Sequence, residues 1–379
     1  MVATEFPALD EILSLLKDQL EVIKRSGRPV IGWFCSYTPL EILLAAGLQP
    51  YRILPEPGKA ITRADSYIDR NFCPYVRTCL GEALEGTYKF LEGLVVVNSC
   101  DAMRRMYDVW RYNIGGDFIH LLDLPRVNSP EAAAYYRECL QKLTGEIEAH
   151  FKVPVTDRKL AEAIKSLNNW RSLLRELYKV NRDKGFPLTA AQVHTVVRAG
   201  TTLPIDVFNG ALERLIDNLG KSDSVSVDEG PRILITGSIM DNPRILELIG
   251  ECGSKVVADD LCTGTRQFWD TVERAADPLT DLSRHYLGRT PCPRMKDASR
   301  RFDHVLEMID EFRVDGVIFY TMKFCDPFLF DVPLFKEGLA RRGLPSLLLE
   351  GDYTPGTLGR VKTRIEAFTE MLRQNVRAA

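Results

Sequence analysis

The sequence predicts an α/β protein: two parallel-sheet lobes of the flavodoxin or Rossmann type facing a cleft, with a helical insertion between them. Three observations predict it. Short β-branched runs alternate with helix-length amphipathic stretches in two separate blocks, as parallel sheets flanked by helices require. The stretch between the blocks carries long helical periodicities and few strand candidates. Four times a strand-like run ends and a cysteine follows, in "IGWFCS", "VVVNSCD", "VVADDLC" and "VIFYTMKFC".

In the first block, residues 1–127, Leu9, Ile12, Leu13, Leu16, Leu20 and Ile23 recur at helical spacing and predict one helix over 5–26. A strand follows at Val30–Phe34, then a helix with Pro39 in its first turn and Gly47 past its end. "PYRIL" reads as a second strand. "ADSYIDRNFCPYVRTCLGEALEGTYKFL" reads as helical, with Pro74 near a helix start. Gly93–Ser99 is a buried strand, "DAMRRMYDVWRYN" a helix and "FIHLLDLP" a strand. Residues 128–225 form the insertion, with helices over "PEAAAYYRECLQKLTGEIEAHF" and "DRKLAEAIKSLNNWRSLLRELYKV". The polar, turn-rich "GKSDSVSVDEGP" reads as the joint to the last block. In 226–379 the strands are "RILITGS", "KVVADD", "GVIFYTM" and "PSLLLEGD". The helices are "NPRILELIGECG", "FDHVLEMIDEFRV", "FDVPLFKEGLARRG" and "GTLGRVKTRIEAFTEML". The matched order predicts a duplicated architecture without a sequence repeat.

A chain of 379 residues is long for one core and predicts more than one domain. The net charge of −3 gives no global electrostatic reason to expect a nucleic-acid or membrane partner. No apolar run reaches the roughly 18–20 residues that span a bilayer. "MVATEFPALDEILSLL" lacks the basic-then-apolar order of a secretory signal, so a cytoplasmic location is expected. Nine cysteines in a reducing compartment point to buried, catalytic or metal-bound thiols rather than disulfides.

Ligands of open α/β sheets bind outside the carboxyl ends of the strands. Cys35, Cys100, Cys262 and Cys325 each fall at or just beyond such an end, so two facing lobes would bring them to one cleft. A helix N-terminus lowers a thiol's pKa, which favours the thiolate that a metal needs. Cys73 in "NFCPYVR" and Cys292 in "RTPCPRM" precede prolines, which hold them extended. There is no tight C-x-x-C pair of the zinc kind and no ferredoxin spacing. Any metal site would therefore be assembled by tertiary structure, and spacing leaves metal binding and plain packing both open. Cys79, Cys139 and Cys252 lie within helical stretches or at a helix end and read as packing residues.

Other side chains carry paired readings. Glu350 and Asp352 in "EGDYTPG" suit acid–base work or the capping of the next helix. Arg266 in "DDLCTGTR" suits a ligand phosphate or an ion pair with Asp259 or Asp260. Arg104 and Arg105 sit early in a helix, as phosphate donors or as ordinary surface residues. His120, inside a strand, reads as a satisfied core residue. No G-x-x-x-x-G-K-[ST] loop is present, so ATP, where used, would be hydrolysed by another protein.

The stretches "GWFCSYTPLEILLAAGLQPYRI", "ADSYIDRNFCPYVRTCLGEAL", "VVVNSCDAMRRMYDVW", "RHYLGRTPCP" and "FCDPFLFDVPLFKEGL" together resemble the 2-hydroxyacyl-CoA dehydratase superfamily. That group includes dehydratase subunits, cluster-bearing subunits of ATP-dependent benzoyl-CoA reductase and double-cubane reductases. "DDLCTGTR", "TPCP" and "EGDYTPG" most resemble the smaller benzoyl-CoA reductase subunit. The resemblance implies a 4Fe-4S cluster held by Cys73, Cys100 and Cys325, with one iron left open. It also implies that Cys35, Cys262 and Cys292 either hold a second cubane, giving a double-cubane cluster, or line the cleft. The implied activity is one-electron, low-potential reduction of an acyl-CoA thioester. The alternatives are radical elimination of water from a 2-hydroxyacyl-CoA and double-cubane reduction of a small molecule. A non-catalytic alternative is an electron-relaying or architectural subunit. The implied partners are a homologous second subunit or a second copy, and an ATP-hydrolysing activator with its own iron–sulfur cluster.

Overall fold

The computed structural model describes residues 5–55, 63–223, 230–353 and 357–378. Among them, β1 (Val30–Trp33), β2 (Gln49–Arg52), β3 (Gly93–Val97) and β4 (Ile119–Leu122) form one sheet in the order β2-β1-β3-β4. β5 (Arg232–Gly237), β6 (Lys255–Asp260), β7 (Gly316–Met322) and β8 (Ser346–Gly351) form a second in the order β6-β5-β7-β8. Every pairing is parallel. The strands "GLVVV" and "GVIFYTM" are buried along their whole length, as strands covered on both faces must be. Each sheet reverses its winding beside its first strand, and that switch point is where open α/β sheets bind ligands. The expected duplication is therefore present as topology.

The first lobe carries α1 (Pro7–Lys17), α2 (Gln19–Ser26), α3 (Leu40–Ala45), α4 (Pro74–Leu84) and α5 (Asp101–Val109). Next come α6 (Pro130–Phe151), α7 (Asp157–Asp183), α8 (Ala190–Ala199) and α9 (Ile205–Lys221). The second lobe carries α10 (Arg244–Glu251), α11 (Pro278–Gly288), α12 (Ala298–Phe312), α13 (Asp326–Arg341) and α14 (Thr357–Ala378).

Two predicted helices are each divided. The one expected over 5–26 breaks at Asp18, because its halves serve different cores. Leu9 and Ile12 pack with α7, α8 and α9, whereas Ile23 packs under the first sheet. Leu20, expected on the buried face, is 46% exposed. The long helix expected from Ala64 is reduced to a single turn at Ala64–Ser66 and then α4. Proline fits only a helix's first turn and disfavours helical geometry in its predecessor, so Cys73 is non-helical (φ −47°, ψ 125°) and α4 starts at Pro74. The "DAMRRMYDVWRYN" helix ends in a π turn at Trp110–Ile114. Of the predicted joint, residues 224–229 lie outside the described residues.

The lobes share packing. Leu94 and Val96 of β3, Val76 of α4 and Met106 of α5 form one cluster with Ile233, Ile235 and Ile318 of the second sheet. α6 and α11 together cover the other face of the first sheet, through Tyr136, Leu140, Leu282 and Tyr286. His120 is buried and meets Glu146 of α6 at 2.6 Å, as a satisfied core histidine does.

One buried junction ties three parts of the chain together. Glu41 of α3 accepts from Arg171 of α7 at 2.7 Å and from the Tyr286 hydroxyl of α11 at 2.8 Å. Both charges are almost fully buried. A buried ion pair adds little over an apolar pair, but removing one partner strands the other. Arg171→Met is therefore expected to lose roughly 3–5 kcal/mol in urea unfolding. Adding Glu41→Leu to Arg171→Met should recover much of that loss.

Candidate functional site

A cavity of about 560 Å³ lies beyond the carboxyl ends of both sheets. Six cysteines line it: Cys35, Cys73, Cys100, Cys262, Cys292 and Cys325. All six are half-buried free thiols. Cys35 and Cys100 follow β1 and β3, on either side of the first sheet's switch point. Cys262 follows β6 and Cys325 follows β7. Cys73 and Cys292 arrive on the segments before α4 and after α11. Cys79, Cys139 and Cys252 stay out of the cavity lining and pack elsewhere.

The six fall into two electrostatic sets. Cys73, Cys100 and Cys325 are the N-cap residues of α4, α5 and α13. None of the three sulfurs caps its helix by a direct hydrogen bond, but the first-turn backbone N–H groups nearby, of Tyr75 and Val76, Ala102 and Met103, and Phe328, favour the thiolate form. The loops of Cys35, Cys262 and Cys292 are instead held by buried arginines. Arg289 donates to Ser36 O at 2.8 Å, Arg52 to Cys262 O at 2.9 Å and Arg301 to Cys292 O at 3.2 Å.

The expectation that helix N-termini lower these thiols' pKa values is overturned. Burial dominates, pushing Cys35 and Cys325 up to about 12 and Cys73, Cys100 and Cys262 upward as well. Neighbouring cysteines add to the rise: Cys325 and Cys100 act on Cys73, and Cys292 acts on Cys35. The half-charge of a helix end does not offset the cost of a thiolate in a low-dielectric space. A cationic group bound among the sulfurs reverses that balance.

Among the described residues, no three His, Cys, Asp or Glu side chains converge on one point as ligands of a single ion do. A cubane puts each protein thiolate on a different iron, so its ligands stand further apart.

The other expected site residues are placed less favourably. Arg266 lines the cavity, but it is ion-paired with Asp260 at 2.9 Å and donates to the Gly237 and Asp260 carbonyls. Arg104 is exposed outside the cavity lining and bonds Asn98. Glu350 lies within β8 rather than after it, is exposed, and does not reach the cavity. Asp352 meets Lys323 at 2.5 Å, also outside the lining. Among the described residues, the carboxylates that do reach the cavity are Asp69, Asp101 and Asp326. Arg294 enters it as well, its buried Nε without a hydrogen-bond partner.

Sequence reasoning also missed an aromatic set. Phe34, Phe72 and Phe324 each directly precede a cavity cysteine and each line the cavity. The thrice-repeated Phe-Cys pair was the available signal. Phe324 has φ 60°, a left-handed conformation that a bulky residue rarely adopts, and stands 42% exposed at the rim.

The family described as "2-hydroxyglutaryl-CoA dehydratase, D-component" matches residues 35–372, which include all six cavity cysteines. The chain belongs to this family. As a family member it is an enzyme of the 2-hydroxyacyl-CoA dehydratase superfamily. It is 25% identical to the (R)-phenyllactyl-CoA dehydratase beta subunit of Clostridium sporogenes, over 92% of this chain and 93% of that one. It is 26% identical to the (R)-2-hydroxyglutaryl-CoA dehydratase subunit beta of Acidaminococcus fermentans, over 94% and 96%. A benzoyl-CoA reductase subunit of Thauera aromatica is 24% identical, over 91% of both chains. A solved complex of SsGBP with GDP matches at a TM-score of 0.25 and 11% identity, over 91% of this chain and 99% of that one, too distant to bear on the site. No described helix of this family member is long and apolar enough to cross a membrane.

Two outcomes test this electrostatic and steric picture. Phe324→Ala should open the rim and speed alkylation of the cavity cysteines by iodoacetamide several-fold, read by peptide mass spectrometry. Phe324→Gly should do the same while gaining roughly 1 kcal/mol from the relaxed left-handed backbone. The second concerns Asp241, which is fully buried just past β5 and bonded to the Tyr353 hydroxyl at 2.5 Å. Burial raises its pKa from 3.8 to about 6. The unfolded chain thus ionises first, and stability falls as pH rises from about 4 to 6, by at most about 3 kcal/mol. Asp241→Asn should stabilise the protein at pH 7–8 and lose that advantage below pH 4, read by thermal unfolding across pH.

Proposed function

We propose that this chain is the iron–sulfur subunit of an ATP-activated, low-potential reductase acting on an acyl-CoA thioester, of the benzoyl-CoA reductase kind. The observation that carries the reading is the meeting of six thiols from both lobes in one cavity at the carboxyl ends of two sheets. Such a donor set fits an iron–sulfur cluster: soft sulfurs, no single-ion geometry among the described residues, and three of the cysteines placed at helix N-termini. Cys73, Cys100 and Cys325 would hold a 4Fe-4S cluster, which when bound supplies one low-potential electron to the thioester.

The chain's own residues do the rest. The N-termini of α4, α5 and α13 present N–H groups to the three sulfurs and favour their thiolate forms once a cation is bound. Phe34, Phe72 and Phe324 keep water from the sulfurs. Arg294 offers a guanidinium to an anionic part of the substrate, a role expected of Arg104, which the fold leaves outside. Asp69, Asp101 and Asp326 are the carboxylates within reach for proton transfer, in place of Glu350 and Asp352. The names of the relatives as subunits support a homologous second subunit or a second copy beside this chain. An ATP-hydrolysing activator would deliver the electron. A dehydratase subunit uses the same cavity and partners, and differs in the acyl group and in water leaving it.

One observation favours a second occupancy. Cys35, Cys262 and Cys292 line the same cavity, backed by arginines where the first set has helix ends. Those three would hold a second cubane, making a double-cubane cluster.

The test is anaerobic reconstitution with iron and sulfide, followed by metal analysis of wild type, Cys73→Ser and Cys262→Ser. About four irons per chain indicate one cubane and about eight indicate two. Cys73→Ser should lose iron in either case, and Cys262→Ser only in the second. A wild-type protein that stays colourless ends the proposal. Turnover with activator, ATP and a panel of acyl-CoA thioesters then separates reduction from dehydration.

A further inference from the structure

We infer that Arg52 is the counter-cation for an anionic iron–sulfur group at Cys262, and that its positive charge raises that group's reduction potential. The inference rests on the iron–sulfur reading above and adds a positioning residue to it.

Arg52 closes β2 and is 1% exposed, with its side chain in the cavity wall. Its Nη1 donates to Cys262 O at 2.9 Å and to Gln267 Oε1 at 2.6 Å, and its guanidinium lies 4.9 Å from the centre of the Trp33 ring. Its Nε and Nη2 are buried and have no hydrogen-bond partner among the described residues. Buried charges are paired as a rule. Of the other buried arginines nearby, Arg266 has Asp260, Arg301 has Asp331 and Arg171 has Glu41, while Arg289 lies over the Tyr37 and Tyr286 rings. Among the described residues no carboxylate makes an ion pair with Arg52.

The missing negative charge does not come from the side facing the insertion. His194 lies there, and burial, Arg198 and Arg52 push it down to about 4, so it is neutral. On the cavity side stands Cys262, whose strongest charged neighbour is Arg52. Three thiolates around an iron–sulfur core carry net negative charge, and that charge grows on reduction. A fixed buried cation in contact with one ligand loop therefore stabilises the reduced form more than the oxidised form. A merely structural arginine would not leave two buried donors without a partner in the wall of a thiol-lined space.

The experiment compares wild type, Arg52→Gln and Gln267→Glu after anaerobic reconstitution. Iron and sulfide are counted per chain, and the midpoint potential is measured by dye-mediated titration followed by electron paramagnetic resonance. Arg52→Gln deletes the charge, and Gln267→Glu neutralises it with a carboxylate at Nη1 while keeping the guanidinium. Both should move the potential to more negative values, and Arg52→Lys should restore most of the shift. Gln267→Glu carries the test alone if Arg52→Gln fails to fold. Wild-type iron content with an unshifted potential in these variants overturns the role of Arg52 and leaves the cluster reading intact. A wild type that takes up no iron overturns the cluster reading itself.

Discussion

The carboxyl ends of two parallel sheets open onto one space, and the chemistry of this protein is confined by that arrangement. A parallel strand delivers each loop to the same edge of its sheet, so residues far apart in sequence arrive together without a local motif. Here β1 and β3 deliver Cys35 and Cys100, while β6 and β7 deliver Cys262 and Cys325. Cys73 and Cys292 complete the set because a following proline holds each out of a helix at the point where its segment meets the cavity. The site is thus a property of the pair of lobes and of neither alone.

Gathering sulfurs in a buried space sets an electrostatic problem, and the fold answers it differently on the two sides. Helix N-termini face Cys73, Cys100 and Cys325, where partial positive charge comes from backbone dipoles fixed by secondary structure. Full charges from Arg52, Arg266, Arg289 and Arg301 surround the loops of the other three. In the protein alone burial still wins, and it holds Cys35, Cys73 and Cys325 above the usual thiol range. Both devices become effective only when a bound cation removes the desolvation penalty, which couples ligand uptake to proton release.

The architecture was legible in the sequence because burial patterns repeat: "KVVADD" and "GVIFYTM" occupy the very residues of β6 and β7. The cysteine set was legible for the same topological reason. The division of the first helix at Asp18 was not, because Leu9 and Ile23 have the same apolar character and only tertiary packing sends them to different cores. The supporting charges were also hidden. Arg104 and Arg52 look alike in sequence, yet one is exposed on α5 and the other is sealed behind Trp33. Glu350 and Asp352 stood at a strand's end, but β8 is an edge strand and its carboxyl end lies away from the switch point.

The two lobes are joined by more than a linker, and this bears on how a substrate enters. A single apolar cluster runs from Leu94 and Met106 to Ile235 and Leu349, and the Glu41–Arg171–Tyr286 junction links α3, α7 and α11. Opening the cavity by swinging the lobes apart would expose that cluster and break a buried ion pair, a cost comparable with a large part of a protein's net stability. The parts free to move at lower cost are at the rim, where Asp69, Asn71 and Phe324 are exposed. Access is therefore a matter of side chains and short loops over a fixed floor, which suits a site whose sulfurs must hold their spacing while a substrate comes and goes.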